Sequence, residues 1–252
     1  MLARREVSDR EWSARCELAA LYRLIAHFRM TDLIDTHISL RVPGAENRFL
    51  INRYGVLFDH MTASDLVLID YEGNRIEASK EGDDVNAAGF TIHSAIHMAR
   101  PDVHCVIHTH TAAGIAVSAQ EQGLLPISQH ALKFYGKLGY HTYEGVALCL
   151  SERERLVADL GPHRAMILRN HGLLAAGRNV AEAFHEIHFL ERACQAQIQA
   201  LAGGGKLVFP SEEICRLTAG QFTDDEEGMR YILTGWQAAL KLVEHQRAEY
   251  CS

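Results

Sequence analysis

The sequence has no apolar run long enough to cross a membrane. About 18 consecutive apolar residues are expected of a spanning helix, and no stretch of the 252 residues approaches that length. The first twelve residues, MLARREVSDREW, carry charge but lack the apolar segment of a secretion signal. We therefore predict a soluble, cytoplasmic protein with no membrane partner.

Positive charge is also scarce, with 25 Lys and Arg against 32 Asp and Glu and a formal net charge of -7. A surface that binds nucleic acid needs an excess of basic residues, so nucleic acid is not the expected partner. Neither GxGxxG nor GxxxxGK[ST] occurs, which removes the usual support for nucleotide binding. The six cysteines lack CxxC spacing, a pattern typical of reduced thiols and not of a zinc knuckle or a disulfide framework.

Apolar residues instead alternate between helical and strand spacing along the whole chain. Mixed strands and helices without strict βαβ alternation predict an α/β protein, a three-layer α/β/α sandwich formed by a single domain over 1–252. A serine, Ser151, is placed to cap a helix in SERERLVADL. The other predicted helices cover 13–29, 87–98, 111–120, 179–202 and 231–249, and the predicted strands cover 36–42, 48–52, 66–70, 103–110, 145–150 and the two halves of MILRNHGLLAAG.

Histidine is abundant, with 15 copies, and two of them form the HxH pair of VIHTH. Side chains two apart in a strand share one face, so His108 and His110 can bind one metal ion. A third ligand is expected, and His171 is the candidate because it ends the apolar strand AMIL in a tight turn before Gly172. Neutral imidazole suits zinc first, and also manganese, cobalt, nickel and iron.

Two helical histidine pairs compete for the same role. His93 and His97 lie four apart, and His185 and His188 lie three apart, so either pair could face one metal. The segment HEIH is not HExxH, which denies the second pair the metalloprotease signature. Packing is the more typical role of such residues, although His93 or His97 could donate to a metal ligand or a substrate carboxylate.

Two longer segments resemble a known family. RPDVHCVIHTHTAAGIAVSA, followed about sixty residues later by AMILRNHGLLAAGRNVAEAF, is similar to class II aldolase/adducin domains over roughly 13–205, which leaves a C-terminal helical tail at 206–252. The resemblance implies a central, largely antiparallel sheet with helices on both sides, and a homotetramer with sites at subunit interfaces. It also implies that a divalent metal ion is bound by three histidines, His108, His110 and His171.

The sequence departs from the sugar-phosphate aldolases of this family at the positions that handle protons and phosphate. Gly89 stands where the resemblance places the catalytic glutamate, and Ala87 and Ala88 replace phosphate-binding serines. Thr36-His37 and Tyr54-Gly55 replace two further phosphate-binding elements. These changes predict an unphosphorylated small-molecule substrate.

The metal chemistry survives those losses, because a Lewis acid stabilises an enediolate in both retro-aldol cleavage and decarboxylation. We therefore predict a metal-dependent carbon–carbon lyase, an aldehyde-lyase or carboxy-lyase, acting on a hydroxy-carbonyl or keto-acid substrate. The alternatives are a non-catalytic adducin-like binding or scaffold protein that retains the metal site, and a histidine-ligated iron oxygenase or hydrolase. The candidates for the missing acid or base are His37, His130 and Tyr135, with His93, Tyr143 and Glu144 as further options.

Overall fold

The computed structural model describes residues 7–42, 44, 47–76 and 84–252, which form one seven-stranded sheet with helices on both faces. The strand order is β3-β2-β1-β4-β7-β6-β5. Every neighbouring pair is antiparallel except β5 with β6, so the predicted three-layer sandwich with a largely antiparallel sheet is confirmed. The strands are β1 His37–Arg41, β2 Arg48–Asn52, β3 Leu66–Asp70, β4 Cys105–Thr109, β5 Leu138–His141, β6 Ala165–Leu168 and β7 Gly172–Gly177.

Successive residues of a strand point to opposite faces of the sheet, and the two faces pack in separate hydrophobic cores. In β4, Ile107 packs with the main core formed by the first, sixth and eighth helices, whereas Val106 packs with the second and fifth helices. His108 lies two residues from Val106 and therefore shares its face. Among the described helices none is both long and apolar enough to span a membrane. The helices are α1 Asp9–His27, α2 Ala87–Ala99, α3 Ala112–Ser118, α4 Gln129–Lys133, α5 Arg153–Leu160, α6 Val180–Ala202, α7 Glu212–Gln221, α8 Glu226–Leu240 and α9 Arg247–Tyr250.

The strand predicted over 145–150 is wrong. That segment is a loop that ends in a short 3-10 turn, and its alternating apolar side chains Val146 and Leu148 are 67% and 63% exposed. The strand at this edge is β5, which sequence analysis missed because it contains Gly139. Glycine is required there, since an added Cβ would lie 2.6 Å from the backbone oxygen of Asp159.

Three smaller predictions also need correction. Ser151 does not cap α5, because it lies inside the 3-10 turn and Glu152 occupies the capping position. The helix predicted over 231–249 is instead α8, which starts and ends earlier, followed by a 3-10 turn and the short α9. Sequence analysis anticipated neither α4 nor α7, whose few apolar positions are too short a pattern to recognise.

Candidate metal centre

Three histidines converge at the end of the central strands. His108 pairs with Leu174 across β4 and β7, and His110 follows β4 by one residue. His171 lies in the turn between β6 and β7, where Asn170 adopts a positive φ of 55°. Because β4 and β7 are neighbours in the sheet, this turn brings the third imidazole beside the first two.

The three Nε2 atoms face one another. Nε2 of His108 lies 2.7 Å from that of His110 and 3.2 Å from that of His171, and the remaining pair is 2.9 Å apart. Nδ1 of His108 lies 3.0 Å from the carbonyl of Leu173, and Nδ1 of His110 lies 3.2 Å from a carboxylate oxygen of Asp32. Both partners only accept hydrogen bonds, so both rings carry their hydrogen on Nδ1 and leave Nε2 bare.

Such a donor set fits a divalent cation. Two bare nitrogen lone pairs 2.7 Å apart repel each other unless a positive charge lies between or beside them. The backbone and carboxylate partners on the far side of each ring are those that orient metal-binding histidines. The residues present therefore fit the ion that sequence analysis expects at this position.

Burial favours the neutral form, which binds metals, for His108 and His171. Desolvation, reinforced by the neighbouring His171, lowers the pKa of His108 well below its usual range. Desolvation and the nearby His110 lower the pKa of His171 to about 4. Protons therefore compete weakly for these nitrogens near neutral pH.

A cavity of about 590 Å³ is lined by two of the three histidines, His110 and His171. Two carboxylates, Asp32 and Asp35, line it, and no Lys or Arg does so within the part of the chain that the structure describes. Its lining includes Ala87 and Ala88 and one residue of each other element at which the sequence departs from sugar-phosphate aldolases, namely His37 and Tyr54.

The predicted acid and base residues are not all near this cavity. His37 lines it, with its ring centroid 5.0 Å from that of His108. His130 instead packs against Phe189 of α6 at 5.2 Å, and Tyr135 follows α4 outside the lining. A catalytic role for His130 or Tyr135 would therefore require a second copy of the chain, and their assignment stays a prediction.

The alternative acid or base residues divide in the same way. Tyr143 lines the cavity, and its ring centroid lies 6.3 Å from that of His171. Glu144 is held by the guanidinium of Arg155, which donates to both of its carboxylate oxygens. Tyr143 is therefore available to a ligand, whereas Glu144 is engaged elsewhere.

The competing histidine pairs have other surroundings. His93 and His97 are buried on α2 and face β1, where both contact the hydroxyl of Ser39. His185 and His188 pack against aromatic rings of α6 and its neighbours. Sequence analysis missed Ser39, although its position two residues after His37 places both on one face of β1; nothing in the sequence signals Asp32.

His37 fills the space that a side chain at position 89 would need. An added Cβ on Gly89 would lie 2.6 Å from Cδ2 of His37 and 3.1 Å from its Nε2. Real Cβ atoms essentially never come so close to another heavy atom. The loss of the glutamate at position 89 and the presence of His37 are separate changes in the sequence. In the structure they are related, because the His37 ring takes the space of a side chain at position 89.

Comparisons with known proteins identify similar sequences and similar folds. The profile of the "Class II Aldolase and Adducin N-terminal domain" matches residues 16–198. An aldolase II superfamily protein from Pseudomonas syringae has a crystal structure that is 49% identical, covers 99% of both chains and gives a TM-score of 0.92. An L-fuculose 1-phosphate aldolase from Glaciozyma antarctica PI12 is 30% identical, covers 99% of this chain and 95% of its own, and gives a TM-score of 0.83. Alpha-adducin of Rattus norvegicus is 46% identical over 192 residues, which are 76% of this chain but 26% of the adducin.

Proposed function

The chain belongs to the class II aldolase and adducin family, and on that premise we propose that it is a metal-dependent carbon–carbon lyase. The reaction is a retro-aldol cleavage or a decarboxylation of a small, unphosphorylated hydroxy-carbonyl or keto-acid substrate. The observation that carries the proposal is the convergence of three imidazole Nε2 atoms, two of them fixed as bare acceptors from behind.

His108, His110 and His171 would hold the ion, with zinc expected first and manganese, cobalt, nickel or iron as alternatives. When bound, the ion would supply Lewis-acid chemistry to a substrate carbonyl and to the negative charge that develops on its oxygen. Asp32 orients the His110 ring from outside the cluster. His37 lies beside the cluster at the cavity wall and is the residue that we assign to proton transfer with the substrate.

The charge of the cavity supports an unphosphorylated substrate. A phosphate dianion is bound by hydrogen-bond donors or cations, and the hydroxyl donors of the serine positions are missing from the side chains of Ala87 and Ala88. Asp32 and Asp35 add negative charge to the same lining. A neutral polyol, or a substrate whose one carboxylate reaches the metal, fits this lining better than a sugar phosphate.

A second function, a non-catalytic adducin-like binding protein, has one specific observation in its favour. The identity with alpha-adducin exceeds the identity with the fuculose-phosphate aldolase. The histidine cluster opposes it, because a scaffold gains little from three converging lone pairs. An iron oxygenase is less well supported, since the described cluster contains three histidines and no carboxylate ligand.

Metal analysis of protein purified without chelator tests the proposal first. We expect about one divalent ion per chain in the native protein and its loss in His108→Ala. An exposed histidine on the C-terminal 3-10 turn provides the matched control, since His245→Ala should retain the ion. A protein that bound no divalent ion would contradict the enzyme proposal.

Turnover is the second test. A panel of unphosphorylated hydroxy-carbonyl compounds and 2-keto acids, each paired with its phosphorylated analogue, would be assayed for release of aldehyde or carbon dioxide. We expect turnover with the unphosphorylated member of a pair and its loss in His108→Ala. Metal binding without turnover by any member would favour the scaffold, and efficient cleavage of a sugar phosphate would contradict the substrate class. Size measurement in solution tests the expected homotetramer.

A further inference from the structure

A continuous chain of hydrogen bonds runs from the cavity into the interior between β1 and α2. Nδ1 of His37 lies 2.8 Å from Nε2 of His93, whose Nδ1 lies 2.5 Å from the hydroxyl of Ser39. The same hydroxyl lies 2.8 Å from Nε2 of His97. All four residues are at most 2% exposed, so water does not interrupt the chain.

Two arrangements of hydrogens let the Ser39 hydroxyl donate to one imidazole and accept from the other. In its neutral form, each of the buried rings of His37, His93 and His97 carries one hydrogen. A neutral ring donates through one nitrogen and accepts through the other, and the hydroxyl of Ser39 donates once. All three rings therefore carry the hydrogen on Nδ1 together, or all three carry it on Nε2.

The surroundings of His97, at the interior end of the hydrogen-bond chain, select between the two arrangements. Nε2 of His97 faces Ser39, which leaves Nδ1 buried and without a hydrogen bond of ordinary geometry among the described residues. The carbonyl of Val103 is held on this side by Arg41, which donates to it and to the His97 carbonyl. Burial lowers the pKa of His97 to about 3, and the Val103 carbonyl opposes that effect, as an acceptor beside the ring would.

A carbonyl oxygen can only accept, so its proximity favours a hydrogen on Nδ1 of His97. Nε and Nη2 of Arg41 donate to the backbone carbonyls of Val103, His97 and Arg100. With Nδ1 of His97 protonated, Ser39 donates to His97 and accepts from His93. His93 in turn accepts from Nδ1 of His37.

We propose that Ser39, His93 and His97 are positioning residues that hold His37 as its Nδ1–H tautomer, so that its bare Nε2 faces the cavity as the proton acceptor. This inference rests on the proposed function and assigns its base. Nε2 of His37 lies 3.1 Å from the place of an added Cβ on Gly89, where the resemblance expects a glutamate. The imidazole thus presents a lone pair from the side on which a carboxylate would have presented one.

The proton balance is simple. A substrate proton taken by Nε2 leaves His37 with two N–H groups, and Nδ1–H still donates to His93. The same nitrogen returns the proton to the product, so the chain of hydrogen bonds keeps its direction throughout. Ser39, His93 and His97 touch neither the substrate nor the metal ligands, and they act on the reaction through His37 alone.

Nuclear magnetic resonance of protein labelled with 15N-histidine tests the tautomers directly, without a substrate. We expect Nδ1–H at His37, His93 and His97, each assigned by its His→Gln variant. The outcome that would overturn the proposal is Nε2–H at all three rings, or different tautomers among them. Because this readout requires neither metal nor turnover, its failure is distinct from failure of the proposed function.

Ser39→Ala breaks the chain and should shift the His37 tautomer ratio roughly fivefold or more, the effect of one hydrogen bond. Ser94→Ala is the matched control, because Ser94 is equally buried on α2 but donates to the backbone of its own helix. Ser39→Thr keeps a hydroxyl on a strand and should restore the ratio. An unchanged ratio in Ser39→Ala would refute the positioning role.

A kinetic readout completes the test. Exchange of the carbon-bound hydrogens of dihydroxyacetone in D2O reports proton removal without any cleavage. We expect kcat for this exchange to fall in Ser39→Ala with KM unchanged, and to recover in Ser39→Thr. A change in KM alone would show a structural role for Ser39 and would contradict the proposal.

Discussion

Substitution of Gly89 by alanine tests whether His37 occupies the place of the missing side chain. The added Cβ would lie 2.6 Å from Cδ2 and 2.9 Å from Cγ of His37, whereas carbon atoms in contact normally lie about 3.5–4.0 Å apart. The ring cannot simply rotate away. It is tied to His93 at 2.8 Å and packs against His108.

Two opposing terms decide the size of the effect. Overpacking of a buried site typically costs about 1–3 kcal/mol. Position 89 lies in the first turn of α2, where exchange of glycine for alanine gains at most about 1 kcal/mol of helix propensity. We therefore expect Gly89→Ala to lower the free energy of unfolding by about 1–2 kcal/mol. In a His37→Ala background the clash is absent, and Gly89→Ala should raise the free energy of unfolding by up to about 1 kcal/mol.

Urea unfolding of the four proteins of this double-mutant cycle, at one protein concentration and with chelator present, measures the coupling. Gly235→Ala is the control, since an added Cβ there meets nothing within 4 Å in the middle of α8. That control should stabilise both backgrounds equally. An equal effect of Gly89→Ala with and without the His37 ring would refute the shared-space argument.

Three further predictions concern other parts of the molecule. Asp32→Ala removes the carboxylate behind His110 and should weaken metal binding about 10- to 100-fold, measured by competition with a chelator; unchanged affinity would show that the carboxylate does not orient the ring. Lys133→Met leaves the buried Glu186 without its partner and should cost about 3–5 kcal/mol of unfolding free energy, most of it recovered in Lys133→Met/Glu186→Leu; a double variant as unstable as the single one would contradict this. Burial, with help from Lys133, lowers the pKa of His185 from 6.5 to about 3, so the unfolded chain binds the proton first and stability falls on acidification below pH 6.5. The slope is about 1.4 kcal/mol per pH unit, and in chelator His185→Gln should reduce the measured proton uptake by about one; an unchanged uptake would contradict the assignment.

Local periodicity predicts much of the fold. The bounds of β2 and β3 agree with the short strands predicted at 48–52 and 66–70, and α6 ends at the glycines as expected. The two strands are short apolar runs that are buried on both faces, and α6 repeats apolar residues at helical spacing, so the sequence carries the signal. The histidine cluster was accessible for the same reason, because an HxH pair on a strand fixes two side chains on one face.

The features that escaped prediction depend on distant contacts. In the sequence, Gly139 argues against a strand. In the structure, the close approach of the Asp159 backbone oxygen requires a glycine at this position of β5. In the sequence, the alternating apolar residues Val146 and Leu148 favour a strand. In the structure both side chains are exposed, so this pattern does not mark a buried strand face. Asp32 precedes His110 by 78 positions, and no local pattern relates a loop carboxylate to a ring nitrogen so far along the chain.

The exchange between Gly89 and His37 bears most directly on function. In the sequence the lost glutamate weakens the case for catalysis, and the histidine fifty-two positions earlier is a second unexplained departure. In the structure the histidine ring requires the glycine, because any side chain at 89 would collide with it. A scaffold that had merely lost its catalytic residue would have no need to fill that space with an imidazole anchored by three further buried polar residues. Burying polar residues is costly even when most of them are hydrogen-bonded, so the presence of this chain beside the metal ligands argues for retained proton chemistry with a different base.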